Sequence, residues 1–567
     1  GWTLAALSNG LSAAPTTSEI FTDRAAEVGL EFTHFNGMSG KFYFSEIMGP
    51  GGALFDYDND GDLDVYLVQG AKLGDMTDYG DAIYPAAGLL PPGDSLFRND
   101  LVETGNLNFV DVTEASGIVA RGYGMGVAVG DFTGDGYSDL YITNFGSNQM
   151  LRNNGGGTFT DVTDIAGTDD GRWSTSAAFF DYDRDGWLDL FVGNYVNFTL
   201  ASHKPCYAPS GAVDYCSPLS YQPDANRLFR NRGDGTFADV SSAARISGAY
   251  GGALGVIAAD FDGDSWPDVY VANDGRPNQL WINQRDGRFV DDALLSGTAF
   301  NEQGAAEASM GVDVADFDGD GDDDLFVTHL DRETNTLYRN DGTGLFEDDT
   351  VETGLGLPSR GFTGFGTAWL DYDSDGRLDL LVANGAVRII NALVATGDSL
   401  PLRQTNQLLR QLENGRFQEV TAMAGSAFEL SEVSRGTAVG DVDNDGDTDV
   451  LILNNNGPVR LLINNGAPSA AWLGLRLVDY AGGGDSYGTR VGCTLDDGRT
   501  VWRTVRAAAS YCSSNDPRVL FGLGAASSVR LVEARWPDGK REQWEESAVH
   551  PINRYHTLKR GSGRSLP

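Results

Sequence analysis

The sequence predicts an all-β protein, with a seven-bladed β-propeller over residues 20–466 and a small β-sandwich-like domain over 467–567. Two observations carry this prediction. An aspartate-rich nonapeptide occurs seven times between short apolar strands, and two further strand-like phrases follow it in a constant order. Each unit therefore has four short strands joined by glycine-containing turns, which is the make-up of a propeller blade.

The four strands of a unit differ in composition. The first is rich in small residues, as in GMGVAVG, and it ends at the aspartate cluster. The second is more hydrophobic, as in LYITN. The third ends in Arg-Asn or Ile-Asn, as in LFRND and LWINQ, and the fourth has the form FVDVTEASG. Apolar and polar residues alternate over these short stretches, which favours strands throughout.

The last unit lacks its fourth strand. After the aspartate cluster at 441–449 come VLILN and LLINN, but no phrase like FVDVT follows them. A matching phrase, IFTDRAAEVG, stands near the other end of the chain at residues 20–29. Because a ring of blades has to close, we predict that this N-terminal strand completes the last blade.

The nonapeptides share the frame D-x-D-x-D-G-x-x-D. Carboxylates at positions 1, 3, 5 and 9, a carbonyl at position 7 and Gly at position 6 offer the oxygen ligands that Ca²⁺ prefers. Without a cation these carboxylates would repel one another, so we predict about seven Ca²⁺ sites. The predicted ligand residues are Asp56, Asp58, Asp60, Asp62, Asp64, Asp131, Thr133, Asp135, Tyr137, Asp139, Asp181, Asp183, Asp185, Trp187, Asp189, Asp260, Asp262, Asp264, Trp266, Asp268, Asp316, Asp318, Asp320, Asp322, Asp324, Asp371, Asp373, Asp375, Arg377, Asp379, Asp441, Asp443, Asp445, Asp447 and Asp449.

Two of these loops depart from the frame. Thr133 occupies position 3 of the second loop, and Ser265 occupies position 6 of the fourth. Because the second loop keeps only three of the four carboxylates, we expect it to bind Ca²⁺ least tightly. We interpret the ions as structural staples of the blade turns, and direct bridging of a ligand is the alternative.

Composition narrows the possible partners. Lys and Arg number 40 against 81 Asp and Glu, which gives a formal net charge of −41. Such a chain disfavours nucleic acid and anionic membranes, and no apolar run is long enough to predict a membrane span. Residues 1–19 begin with small apolar residues, which we interpret as an assembly segment. The tail of an export signal is the alternative.

The four cysteines form two local pairs. Neither pair has the spacing of a zinc site, and no histidines cluster near them. We predict the disulfides Cys206–Cys216 and Cys493–Cys512, as in an exported protein. Four buried free thiols are the alternative.

The repeats over about 20–466 resemble FG-GAP (VCBS-type) repeats, as found in the integrin α propeller. The region from Trp472 onward, with WLGLRLV, GTRVGCTLDDGRTVWRTV, SYCSSNDPRVLFGLG and VEARWPDGKREQW, is similar to the ASPIC/UnbV domain. That domain follows such propellers in the cartilage acidic protein family. The resemblance implies a secreted, calcium-binding, matrix or adhesive protein, and it implies no known reaction.

Three insertions interrupt the repeats, at about 70–95, 196–226 and 385–406. The middle insertion contains the first cysteine pair. We interpret it as a stapled surface loop, with a recognition surface or subunit contact as the alternative.

None of the motifs of a hydrolase nucleophile elbow, a P-loop or a dinucleotide fingerprint stands in the strand-and-helix context that it requires. We therefore expect a non-enzymatic extracellular protein with protein or glycan partners. Our prediction is a subunit of an extracellular assembly or filament. A monomeric calcium-dependent adhesion or ligand-binding module and an enzyme acting on extracellular polysaccharide are the alternatives.

Overall fold

The computed structural model describes residues 19–88, 90–466, 470–479 and 483–566. Regular structure in these ranges is almost entirely β, which confirms the all-β prediction, and the longest α-helix, Asn391–Ala395, has five residues. Within the same ranges no helix is both long and apolar enough to cross a membrane. Of the predicted assembly segment, residues 1–18 lie outside the described residues.

Seven antiparallel units of four strands, here called blades 1 to 7, follow the order of the seven aspartate loops. Their strands, in the order in which they pair, are Gly52–Phe55, Asp64–Leu67, Ser95–Asn99 and Phe109–Asp111 in blade 1; Gly124–Gly130, Asp139–Asn144, Gly146–Asn153 and Phe159–Asp161 in blade 2; Ser174–Phe180, Asp189–Asn194, Arg227–Asn231 and Phe237–Asp239 in blade 3; Ala253–Ala259, Asp268–Asn273, Gln279–Asn283 and Phe289–Asp291 in blade 4; Val312–Ala315, Asp324–Val327, Thr336–Asn340 and Phe346–Asp348 in blade 5; Gly364–Leu370, Asp379–Asn384, Gln407–Gln411 and Phe417–Glu419 in blade 6; and Ser434–Gly440, Asp449–Asn454, Arg460–Asn464 and Phe21–Asp23 in blade 7. The sheet of blade 1 is extended by the two short strands Ala508–Ala509 and Ser513–Ser514.

The blades form a closed ring. First strands of consecutive blades contact one another, and the first strand of blade 7 contacts that of blade 1. Blade 7 takes its outer strand from the N-terminal region, where Phe21 pairs with Asn464 and Asp23 pairs with Leu462. This pairing confirms the predicted closure.

The channel between the first strands is filled by residues 507–516 of the C-terminal domain, here called the plug. Ser514 of the plug pairs with Ala53 of blade 1. Ser510 exchanges two backbone hydrogen bonds with Val312 of blade 5, at 2.8 and 3.0 Å. The plug therefore bonds to strands on both sides of the ring and joins the two domains.

Close approach to the plug requires glycine at two positions in or beside the first strands. A Cβ on Gly51 would lie 1.7 Å from the carbonyl oxygen of Cys512, and one on Gly126 would lie 2.7 Å from the same atom. Both distances are far below van der Waals contact. Larger side chains at these two positions would push the plug out of the channel.

The three insertions converge at the end of the channel where the first strands begin, over a shared apolar cluster. Tyr84 in the first insertion donates a hydrogen bond to the carbonyl oxygen of Ser399 in the third. The backbone N–H of Ile389 in the third lies 3.5 Å from a carboxylate oxygen of Asp214 in the second. Beneath them the fully buried Arg435 donates to surrounding backbone carbonyls. The insertions thus form one continuous cap.

The C-terminal domain contains two sheets that share one apolar core. The three-stranded sheet consists of Val519–Gly522, Trp472–Val478 and Tyr555–Lys559. The five-stranded sheet consists of Thr500–Thr504, Arg490–Leu495, Val529–Arg535, Arg541–Glu545 and Arg564–Leu566. Two short pairs complete the described strands, Cys206–Tyr207 with Val213–Asp214, and Ala508–Ala509 with Ser513–Ser514.

The described helices are short and lie in the connections. The α-helical turns are Leu101–Thr104, Thr113–Ser116, Thr163–Ala166, Ala293–Ser296, Thr350–Thr353, Gly356–Ser359, Asn391–Ala395 and Thr421–Ala424. The 3₁₀ turns are Phe44–Ile47, Tyr79–Asp81, Leu200–Ser202, Pro218–Ser220, Ile246–Gly248, Ser426–Glu429 and Glu546–Ala548.

One of the two predicted disulfides is correct. Cys206 and Cys216 are bonded, whereas Cys493 and Cys512 are buried free thiols, so the predicted Cys493–Cys512 bond is wrong. Cys493 lies in a central strand of the C-terminal domain, while Cys512 lies in the plug and accepts the Ser176 hydroxyl of the propeller. The two thiols are separated because the plug extends out of the C-terminal domain into the propeller channel.

Candidate metal centres

Each aspartate loop connects the first two strands of its blade. Its sixth residue has left-handed backbone geometry, with φ of +101° at Gly61 and +99° at Gly446, which explains the preference for glycine there. Ser265 adopts the same geometry in the fourth loop, with φ of +70°. That loop therefore keeps the turn of the others despite the substitution.

The carboxylates at positions 1 and 5 accept hydrogen bonds from backbone N–H groups of their own loop. In blade 3, Asp181 accepts hydrogen bonds from the backbone N–H groups of Asp185 and Gly186, at 3.1 and 2.9 Å. Asp185 in turn accepts the N–H of Trp187 at 3.1 Å. The position 7 to position 5 bond recurs in all seven loops.

The carboxylate at position 9 ties the loop to the third strand. Asp189 accepts the N–H of Tyr182 through one oxygen at 3.1 Å, and the N–H of Asn231 through the other at 2.8 Å. The side chain of Asn231 then donates to the carbonyl oxygen of Phe132 in the preceding blade. Equivalent side-chain bonds cross the other six blade junctions, with Gln411 replacing Asn in blade 6. This explains the Asn that ends most of the third strands.

The structure brings predicted ligands together. One carboxylate oxygen from each member lies within 4.8 Å of the others in the groups Asp56–Asp58–Asp64, Asp181–Asp183–Asp189, Asp260–Asp262–Asp268 and Asp316–Asp318–Asp320. Several of these loops also hold a buried carboxylate oxygen with no hydrogen-bond partner. These atoms are Oδ1 of Asp58, Asp183, Asp373 and Asp443 at position 3, Oδ1 of Asp260 at position 1, Oδ2 of Asp60 at position 5, and Oδ1 of Asp62 and Asp447 at position 7.

An unpartnered buried carboxylate oxygen is unfavourable unless a cation compensates for it. The donors in these groups are all oxygens, and the loops contain no His or Cys, which suits a hard cation such as Ca²⁺ rather than Zn²⁺. The residues therefore fit the predicted ion. Blade 2 fits less completely, because Thr133 supplies a hydroxyl that donates to Asp131 at 3.3 Å.

Burial disfavours the charged form of these carboxylates. It raises the pKa of the position 1 carboxyl to about 6 in Asp181 and to about 7 in Asp371. At position 9 it raises the pKa of Asp189 to about 9, with nearby Asp183 and Asp181 adding repulsion. A bound cation would oppose both effects, because it favours the ionised carboxylate.

Comparison with known families agrees with this architecture. Residues 131–192, 211–271, 260–327 and 316–382 match the FG-GAP-like repeat family, and residues 481–565 match the family described as ASPIC and UnbV. The chain therefore contains FG-GAP-like repeats followed by an ASPIC and UnbV domain.

The chain is also similar to cartilage acidic protein 1. The human protein is 26% identical over 329 residues, which are 57% of this chain and 46% of that protein. The Xenopus tropicalis protein is 28% identical over 166 residues, which are 28% of this chain and 25% of that protein. The matched part of this chain therefore spans about half the length of the human relative and about a quarter of the Xenopus tropicalis relative. Among solved structures, the BP39L lectin from Burkholderia pseudomallei aligns with a TM-score of 0.41 and 11% identity, over 74% of this chain and 97% of that one.

The ASPIC/UnbV domain lies against the loop face of the FG-GAP propeller. Arg518 donates to the carbonyl oxygen of Asp441 at 3.0 Å, and Tyr555 donates to the Asp441 carboxylate, also at 3.0 Å. Arg476 lies 3.8 Å from the Asp56 carboxylate. These contacts were not predictable from the sequence, because nothing in the local pattern of the C-terminal domain indicates which surface it packs against.

Proposed function

We propose that the protein is an extracellular calcium-binding protein in which Ca²⁺ stabilises the propeller loops. We propose further that its role is to bind partners or to assemble with other copies of itself. The observation that carries the proposal is the recurring buried oxygen at position 3 that has no hydrogen-bond partner. Position 1, 3, 5 and 9 carboxylates and the position 7 carbonyl would hold the ion. Its chemical contribution is charge compensation, and no reaction step is assigned to it.

Several observations support an extracellular location. The chain is similar to cartilage acidic protein 1, contains a disulfide and has a net charge of −41. Disulfides persist mainly in oxidising compartments, and Ca²⁺ loops of moderate affinity fill where calcium is abundant.

We propose that the protein is not an enzyme and that it binds protein or glycan partners. The plug supports this proposal, because it occupies the channel in which a propeller would otherwise have room for an active site. The cap formed by the three insertions is the surface that we propose for a partner. A glycan turnover screen that finds hydrolysis would contradict the proposal.

Assembly through the N-terminal segment belongs to the same proposal. Negative-stain electron microscopy in millimolar Ca²⁺ tests it, and we expect regular fibres that are lost when residues 1–14 are deleted. Single propeller-sized particles of the full chain would instead favour the monomeric adhesion module.

Calcium binding is tested by titrating metal-stripped protein with Ca²⁺ while following the thermal unfolding temperature. We expect a rise, because an ion that binds only the folded state stabilises it by about 2.7 kcal/mol at a hundred times its Kd. Asp183→Asn should reduce the rise and Asp169→Asn should not, since Asp169 is exposed and outside the loops. An unfolding temperature that is unchanged by Ca²⁺ would contradict the proposal.

A further inference from the structure

We propose that blade 1 binds a second divalent cation through Asp60, Asp62 and Glu103, in addition to the ion of its aspartate loop. The proposal rests on the calcium binding proposed above, and its site combines two carboxylates of the nonapeptide frame with one from outside it. Glu103 lies outside the frame, in a different connection of the blade.

The site depends on a longer turn that blade 1 has between its third and fourth strands. In blade 2 the corresponding turn is closed by a hydrogen bond from Asn154 to Thr158, and in blade 4 by one from Gln284 to Arg288. In blade 1 the closing bond runs from Asp100 to Asn108 and encloses the helical turn Leu101–Thr104. The extra residues bring Glu103 up to the aspartate loop.

The three side chains converge. One carboxylate oxygen from each of Asp60, Asp62 and Glu103 lies within 4.8 Å of the other two. Oxygens at this spacing can all lie at the 2.3–2.6 Å that Ca²⁺ requires from a common centre. The blade 1 carboxylates therefore divide into two groups, because Asp56, Asp58 and Asp64 form the other one. Asp60, which the nonapeptide frame assigns to the loop ion at position 5, groups here with Asp62 and Glu103, and through its two oxygens it can serve both ions.

A second observation, independent of the clustering, is the state of Asp62. Its side chain is fully buried, and the backbone N–H of Val102 donates to its Oδ2 at 2.8 Å. Its Oδ1 is buried and has no hydrogen-bond partner, and the same is true of Asp60 Oδ2. The helical turn thus orients Asp62 through one oxygen and leaves the other available to a cation.

Blade 1 combines features that the other blades do not share. Position 7 carries no carboxylate in blades 2, 3, 4 and 6, where the residues are Tyr137, Trp187, Trp266 and Arg377. Blades 5 and 7 have Asp322 and Asp447 at this position. However, blade 5 keeps the short turn, closed from Asp341 to Leu345, and blade 7 takes its fourth strand from the N-terminal region.

Native mass spectrometry of the full chain in Ca²⁺ tests the proposal by counting bound ions. We expect Glu103→Gln to lose one Ca²⁺ relative to the unmodified chain, and Asp62→Asn to lose the same one, since it keeps the position 7 carbonyl. Glu114→Gln is the matched control, because Glu114 is also exposed on a helical turn of blade 1, and it should lose none.

The outcomes separate the two proposals. An unmodified chain that binds no Ca²⁺ would contradict the proposed function and this site together. An unmodified chain that binds Ca²⁺ with the same stoichiometry as Glu103→Gln would overturn the second site alone. Because Glu103 is exposed, its substitution tests the site even if Asp62→Asn does not fold.

Discussion

Asn99 of blade 1 donates a hydrogen bond from its side-chain Nδ2 to the backbone carbonyl oxygen of Val442 in the aspartate loop of blade 7, across 2.9 Å. The two residues are 343 positions apart in sequence. This bond repeats the junction found between the other blades, and it closes the ring on the loop face, while the pairing of Phe21 with Asn464 closes blade 7 itself.

Asn99→Ala should destabilise the protein by about 1–3 kcal/mol, because it leaves a buried carbonyl without its donor. Chemical denaturation at fixed Ca²⁺ concentration measures the change. Asn106→Ala is the control, since Asn106 is exposed and bonds only within its own turn. Equal free energies of unfolding for Asn99→Ala and the control would show that the closing bond contributes nothing.

Thr133→Asp should strengthen Ca²⁺ binding in blade 2, because it restores the carboxylate that the other loops carry at position 3. Calorimetric titration should show the weakest binding phase of the unmodified chain moving to higher affinity, by about tenfold if the new carboxylate contributes about 1.4 kcal/mol. Thr160→Asp, in the outer strand of the same blade, controls for added negative charge. An unchanged titration would mean that the blade 2 loop is not the weakest site.

The thiols of Cys493 and Cys512 should resist alkylation in the folded protein. Both are buried, and burial raises the pKa of each thiol to about 12, so little reactive thiolate is present. Iodoacetamide should label neither in native conditions and both in guanidinium chloride without reductant, as read by mass spectrometry. If the denatured chain labels at neither cysteine, the two are bonded after all.

Tyr511→Ala should lower the free energy of unfolding by about 3–5 kcal/mol, as for other large buried aromatic side chains. Tyr511 is fully buried in the plug, packs edge-on against Phe365 and donates to the Met48 carbonyl at 2.9 Å. Differential scanning calorimetry should show one transition for the unmodified chain and separate propeller and C-terminal transitions for the variant. Tyr207→Ala, at an exposed site, should keep the single transition.

His34 should make the protein less stable in mild acid. Burial and the charge of Arg435 lower the pKa of His34 to about 3 in the folded state, whereas the unfolded chain has the ordinary value near 6.5. Stability from this group is therefore complete above pH 6.5 and is lost as the pH falls towards 3, because only the unfolded state takes up the proton.

Denaturation at pH 7.5 and 5.5, in saturating Ca²⁺, measures this effect. The unmodified chain should lose about 1.4 kcal/mol more than His34→Gln between the two values. His550→Gln, at an exposed position, should behave like the unmodified chain. Parallel losses in all three proteins would exclude a contribution from His34.

Local patterns in the sequence were enough to predict the blades and their order. Strand alternation and glycine turns depend only on residues that are close in sequence. The displaced IFTDRAAEVG phrase was predictable because a ring of repeats has to close. The Cys206–Cys216 pair was predictable because the two cysteines are only ten residues apart in sequence. The frame of aspartates predicted carboxylates that the structure groups in several loops, while the full ligand sets and the identity of the ion stay predictions.

Only the tertiary structure decided how the two domains combine. The plug, the free thiol of Cys512 and the contact of Arg518 with the loop of blade 7 join residues far apart in sequence, and alternation along a strand does not specify a partner across such distances. The position of Glu103 beside Asp62 was likewise decided only by the tertiary structure. Nothing in the LVET turn marks it as a neighbour of Asp62, and the two meet because the fold returns the third strand of blade 1 beside its own aspartate loop.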